Sequence, residues 1–125
     1  MSITSKLLAV LAVALSALAV VASAEAAGKA ATKVTIKGQG GDYYGYVKSD
    51  DAPNCAVDRK VKVFKQLGSA QDPKHDLKIG TDTAQPNGDK YMWSIGNSGY
   101  KHGSFYAKVK KSSECDAALS KVIVR

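Results

Sequence analysis

The feature that most constrains this chain is the stretch 80–109, GTDTAQPNGDKYMWSIGNSGYKHGSFYAKV. It holds two short alternating runs, Lys90–Ile95 and residues 104–110, separated by glycine-rich turns and preceded by a Thr-Asp…Gly turn. A period of two bounded by glycine and asparagine specifies antiparallel β structure and excludes a helical domain. The same alternation puts Tyr91, Trp93 and Ile95 on one face, and Phe105, Ala107 and Val109 on one face of the next strand.

Five more segments read as strands: residues 32–37 (Val34 and Ile36), 43–48, 59–66, 77–81 (Leu77 and Ile79), and 120–125 (Val122 and Val124 inward). In 43–48, Val47 is the inward anchor, and alternation leaves open which of Tyr43, Tyr44 and Tyr46 face in. In 59–66, Val61 and Val63 point one way and Lys60, Lys62 and Phe64 the other. Residues 49–58 and 67–76 are loops, rich in Asp, Pro, Asn and Gly. Residues 83–89 form a turn, and 116–119 carry a hint of a helical turn. The sum is an all-β fold, a seven-stranded antiparallel β-sandwich with Greek-key connections, occupying 32–125 as one domain.

The N-terminus reads differently. Lys6 and the free amine precede Leu7 to Val21, a run apolar apart from Ser16, and Ala22-Ser23-Ala24 follows. This is the pattern of a signal peptide over 1–24, cut after Ala24, with sites after Ala26 and Gly28 as competitors. A membrane span needs about 20 apolar residues, more than this run offers. Residues 25–31 then form a flexible lead-in. The implied location is secreted, extracellular or in the cell envelope.

In that oxidising setting the only two cysteines, Cys55 and Cys115, are expected to pair. Their loops follow the second and sixth strands, so equal parity puts both at one end of the sandwich. A small domain of this kind gains from a covalent staple.

Charge points to the outer face. The chain carries +7, and removing Lys6 with the leader leaves 17 basic against 11 acidic residues, or +6, with Arg59 and Arg125 the only arginines. Lysine suits diffuse anion attraction more than bidentate phosphate recognition. If Val61, Val63, Ala107 and Val109 face in, then Lys60, Lys62, Lys108 and Lys110 face out, with Phe64 and Tyr106 among them as contact area. Lys121 and Arg125 join them if Val122 and Val124 are core. Such a face fits an anionic polysaccharide, a cell-wall polymer or lipid headgroups, and no specific nucleic acid. The same lysines also serve solubility and block edge association in a monomer.

Candidate chemistry is sparse. His75, beside Asp76, and His102 are the only histidines, and no G-x-S-x-G elbow accompanies them. A small secreted hydrolase using one of them is the second reading. A structural or inhibitory protein presenting loop 67–76 or 49–58 is the third. Asp50, Asp51 and Asp58 lack the spacing of a calcium loop. No catalytic residue, metal or cofactor is expected.

Taken in order, Gly45-Tyr-Val47, Pro53, Val61-Lys-Val63, Thr81-Asp82, Gly88-Asp-Lys-Tyr91-Met-Trp93 and Gly103-Ser-Phe105-Tyr-Ala107-Lys-Val109 resemble the prealbumin-like (transthyretin-like, carboxypeptidase-regulatory-like) sandwich modules. With a leader and one long-range cysteine pair, the likeness is to their small secreted actinobacterial versions. The resemblance implies scaffold roles: Asp82 tying down a turn, Gly88 at positive φ, Trp93 between the layers. It implies no activity, since the family is functionally mixed. Its hydroxyisourate hydrolase branch carries Tyr-Arg-Gly-Ser where residues 120–125 here read SKVIVR.

Overall fold

The computed structural model describes residues 28–125. The expected leader, 1–24, lies outside the described residues.

The alternating segments form ten strands in two antiparallel sheets. Sheet one contains β1 (Thr32–Val34), β2 (Lys37–Gln39), β3 (Asp42–Ser49), β6 (Gln85–Asn87) and β7 (Lys90–Ile95), in the order β1-β3-β7-β6 with β2 also on β3. Sheet two contains β4 (Lys60–Lys65), β5 (Leu77–Thr83), β8 (Ser104–Val109), β9 (Ala118–Leu119) and β10 (Ile123–Val124), in the order β10-β8-β4-β5 with β9 also on β8. Among the described residues one four-residue helix, α1 (Ala52–Cys55), sits in the loop after β3. The chain changes sheets at Ala84, which is fully buried between β5 and β6.

The three additional strands have local causes. The expected first strand runs on past Lys37 and is interrupted in its middle. There Tyr46 N–H bonds to the Thr35 hydroxyl instead of a main-chain carbonyl, at 2.8 Å. The Thr35 carbonyl leans over Gly45 so closely that a Cβ would lie 2.0 Å from its oxygen. Only glycine fits there. The hairpin from β2 to β3 closes through Gly40 and Gly41, both at positive φ, the geometry a two-residue primed turn demands. The expected turn over 83–89 contains β6, and only Gly88 (φ 66°) and Asp89 separate it from β7.

The C-terminal segment departs most from expectation. Ala118–Leu119 is a strand and not a helical turn, and Val122 and Val124 are not core: they are 38% and 71% exposed, and Ile123 packs inward. The reason is a one-residue bulge. Leu119 pairs with Lys108 and Ile123 with Phe105, so one extra residue lies between them. Ser120 causes it: Ala107 N–H donates to the Ser120 hydroxyl at 2.8 Å where a carbonyl would otherwise accept. The inside–outside assignment flips beyond that point. Lys121 and Arg125 therefore do not continue the lysine rows of β4 and β8 in the expected register.

One apolar core lies between the sheets. Trp93, Tyr43, Val47 and Val34 meet Val61, Val63, Phe105, Ala107 and Val109 there. In β3, Tyr43 faces in and Tyr44 and Tyr46 face out. Asp82 of β5 accepts the Ser94 N–H of β7 at 2.8 Å, tying one sheet to the other.

Candidate functional site

The end of the sandwich that carries α1 is closed covalently. Cys55 and Cys115 form the expected disulfide, with Cα atoms 5.5 Å apart and both residues buried. Ala30 pairs with this same segment: its N–H donates to Glu114 and its carbonyl accepts from Asp116. The described part of the lead-in is thus pinned by hydrogen bonds.

Beside the disulfide lies a group that sequence reasoning passed over. Arg59, 8% exposed, points its guanidinium at main-chain carbonyls: Cys55 at 2.8 Å, Lys110 at 2.8 Å and Asp116 at 3.0 Å. A fourth bond reaches the Thr32 hydroxyl at 3.2 Å. Burial pulls its pKa down from the ordinary arginine value. One planar fork therefore holds four separate chain segments. The only available signal was an arginine in a chain otherwise built with lysine.

The lysine face exists, in altered form. β4 and β8 are neighbours, with Lys62 directly opposite Lys108 and Phe64 opposite Tyr106. Lys60 and Lys110 lie one step beyond the Val61–Val109 pair. All four lysines line one shallow depression on the outer face of sheet two. Thr81, on β5, pairs with Lys62, and Thr83 with Lys60. Among the described residues no carboxylate stands within ion-pair distance of any of the four; the ion pair found is His75 with Asp72. Like charges directly opposite on a sheet are destabilising by a few tenths of a kcal/mol to about 1 kcal/mol. Here that arrangement is left uncompensated.

Phe64 and Tyr106 share the face and are not available on it. They are 6% and 0% exposed, stacked with ring centroids 5.5 Å apart. Loop 67–76 crosses back over the sheet and covers them. Asp76 accepts the Tyr106 hydroxyl at 2.5 Å and the Leu67 and Asp72 N–H groups at 3.0 and 2.7 Å. Farther on, Gln71 donates to the Ser120 carbonyl beyond β8, at 2.8 Å. The loop is thus strapped to the sheet, although Leu67 at its start is 65% exposed. Alternation assigns a face, and it cannot show that a loop returns to cover that face.

Asp76 is the fastening point. Its bond from Tyr106, then that from the Leu67 N–H, hold its carboxyl below the usual range. Burial, then the bond to Asp76, push the Tyr106 hydroxyl well above the ordinary tyrosine value. A depressed carboxylate stabilises above its unfolded pKa and loses that contribution as pH falls through its folded pKa. A raised phenol stabilises below its unfolded pKa and loses its contribution as pH rises through its folded value. The strap is therefore fully fastened between about pH 4 and about pH 10. Below that window the amides of 67–76 are expected to exchange hydrogen faster, beyond the intrinsic change, and Asp76→Ala should bring that looseness to neutral pH. Unchanged protection in the variant would remove Asp76 from this role.

The histidines are not brought together in a site. His75 bonds Asp72 at 2.8 Å with its side chain 81% exposed, and His102 is exposed in the turn before β8. Of the acidic loop residues, Asp51 accepts from Asn54 and Asp58 from Gln85. No group of three His, Cys, Asp or Glu side chains among the described residues is arranged to hold a metal ion. Compared with protein-family models, with curated proteins and with solved structures, the chain matches none of them.

Proposed function

We propose that this chain is a secreted, non-catalytic β-sandwich module that holds an anionic extracellular or cell-envelope polymer on the lysine array of sheet two. The observation that carries the reading is the pair of rows, Lys60–Lys62 and Lys108–Lys110, set against each other around one depression without a carboxylate in reach. Cross-strand neighbours lie about 5 Å apart and alternate residues about 7 Å apart, so the four ammonium groups reach a common anionic segment. A polymer bearing carboxylates or phosphates relieves the mutual repulsion of the lysines, and this gain falls with salt. The contact is electrostatic alone, since the aromatic pair is beneath the strap.

The disulfide fits an oxidising compartment. The two-sheet layout, the change of sheet at Ala84 and the burial of Trp93 support the prealbumin-like, Greek-key reading of the scaffold.

Polygalacturonate is a suitable probe. At about 1 kcal/mol per lysine near an anionic surface, Lys62→Gln with Lys108→Gln should weaken binding about 30-fold. Raising salt from about 50 to about 200 mM should weaken the parent further than the variant. Binding insensitive to salt, or retained in full by the double variant, would refute the assignment.

A further inference from the structure

The sandwich is open along one side. Among the described residues β1 pairs only with β3 and β10 only with β8, so an edge of each sheet faces the other there. Between the edges lies an open cleft of about 730 Å³, with residues 32–36 as one wall and Ala118, Leu119, Lys121, Val122 and Ile123 as the other. This volume is within the roughly 300–1,000 Å³ of small-molecule sites.

The chemistry of the walls is uneven. Val34 and Ile36 are core residues, only 6% and 8% exposed, and Ile123 packs on the same cluster. Leu119 and Val122, at 48% and 38% exposure, continue the apolar surface out to solvent. Among the described residues the charged ones in the walls are Lys33 and Lys121, and none that lines the cleft is acidic. An occupant that matches this surface is mostly apolar and carries an anionic group for the two lysines. The bulge at Ser120 produces this arrangement, because it turns Val122 outward to the mouth and Ile123 inward.

We propose that the cleft binds a single-chain amphiphile with an acidic head, the tail against Val34, Ile36 and Ile123 and the head between Lys33 and Lys121. A long-chain carboxylate and a single-chain phosphate ester share this chemistry. The site is separate from the lysine array, which lies on the outer face of sheet two, so it stands or falls without it.

Titration calorimetry of the exported chain with dodecanoate, dodecyl phosphate and uncharged dodecyl maltoside, each below its micelle concentration, tests this. One molecule of an anionic ligand per chain is expected, and the tighter of the two identifies the head. Val122→Glu sets a carboxylate in the mouth at an exposed position and should weaken both anionic ligands about tenfold or more. Lys33→Gln with Lys121→Gln should weaken them about 30-fold and leave the maltoside within about twofold. Lys62→Gln with Lys108→Gln should leave all three unchanged. The proposal is overturned if no saturable complex forms, if Val122→Glu binds as the parent does, or if charged and uncharged ligands respond alike to loss of Lys33 and Lys121. Displacement of dodecanoate by an extended Val-Lys peptide that binds more tightly would overturn it in favour of strand addition at these edges.

Discussion

Replacing both half-cystines, Cys55→Ser with Cys115→Ser, is expected to cost about 4 kcal/mol of stability, from the loop-closure entropy of a loop of this length. The separation is 60 residues, which spans three strands of sheet two and two of sheet one. For a domain of about 100 residues that corresponds to a fall in Tm of roughly 15–30 °C. The effect has a second source. The disulfide fixes Cys115 beside α1, and its neighbours Glu114 and Asp116 hold Ala30. Without the cross-link, the hydrogen bonds of Ala30 and of Arg59 to Asp116 have to order this segment by themselves. Thermal melts of the parent, the reduced parent and the double variant check this; a variant within about 1 kcal/mol of the parent would show that the segment is held by hydrogen bonds alone.

Arg59→Ala, just before β4, is expected to be strongly destabilising, at about 3 kcal/mol or more. The residue makes no ion pair with a carboxylate among the described residues, so the loss is not that of a salt bridge. It consists of carbonyls of Cys55, Lys110 and Asp116 left with a lost partner, each costing about 1–3 kcal/mol where water does not replace the guanidinium. Arg59→Lys keeps the charge and should recover less than half, because one ammonium cannot present a planar fork to four acceptors. Denaturant melts of both variants measure this. Recovery of full stability by lysine would mean that charge, and not the shape of the fork, is what counts. Combining Arg59→Ala with loss of the disulfide should be markedly non-additive, since both act on residues 110–116.

These two residues also mark the limits of what alternation reveals. Period two found the faces of β4, β7 and β8 correctly, because each of these strands has one side on the core and a regular partner on it. Loop parity placed Cys55 and Cys115 at the same end for the same reason. Arg59 gave no such signal: its role depends on carbonyls of Lys110 and Asp116, more than fifty residues away, meeting that of nearby Cys55, and nothing in the order of residues announces where they converge. Phe64 and Tyr106 were assigned to the right face and the wrong environment, since the strap over them depends on a contact between Asp76 and a residue thirty positions away. Val122 and Val124 failed through local competition. A serine hydroxyl replaced one main-chain acceptor, and from there a regular pattern pointed to the opposite side. The lysine array was legible as a list of outward residues, and the missing carboxylates and the pairing of Lys62 with Lys108 required the register.

The position of Ala30 has a consequence for the order in which the molecule can be built. Its partners, Glu114 and Asp116, lie more than eighty residues later in the chain, and the strands between them pair mostly with distant segments. Contacts of such long separation are made late and slowly. A chain that emerges N-terminus first has β1 paired as soon as β3 is out, whereas Ala30 waits for Glu114 and Asp116. Closure of the α1 end, with the cross-link and the arginine fork in place, then marks the completion of the fold rather than its beginning.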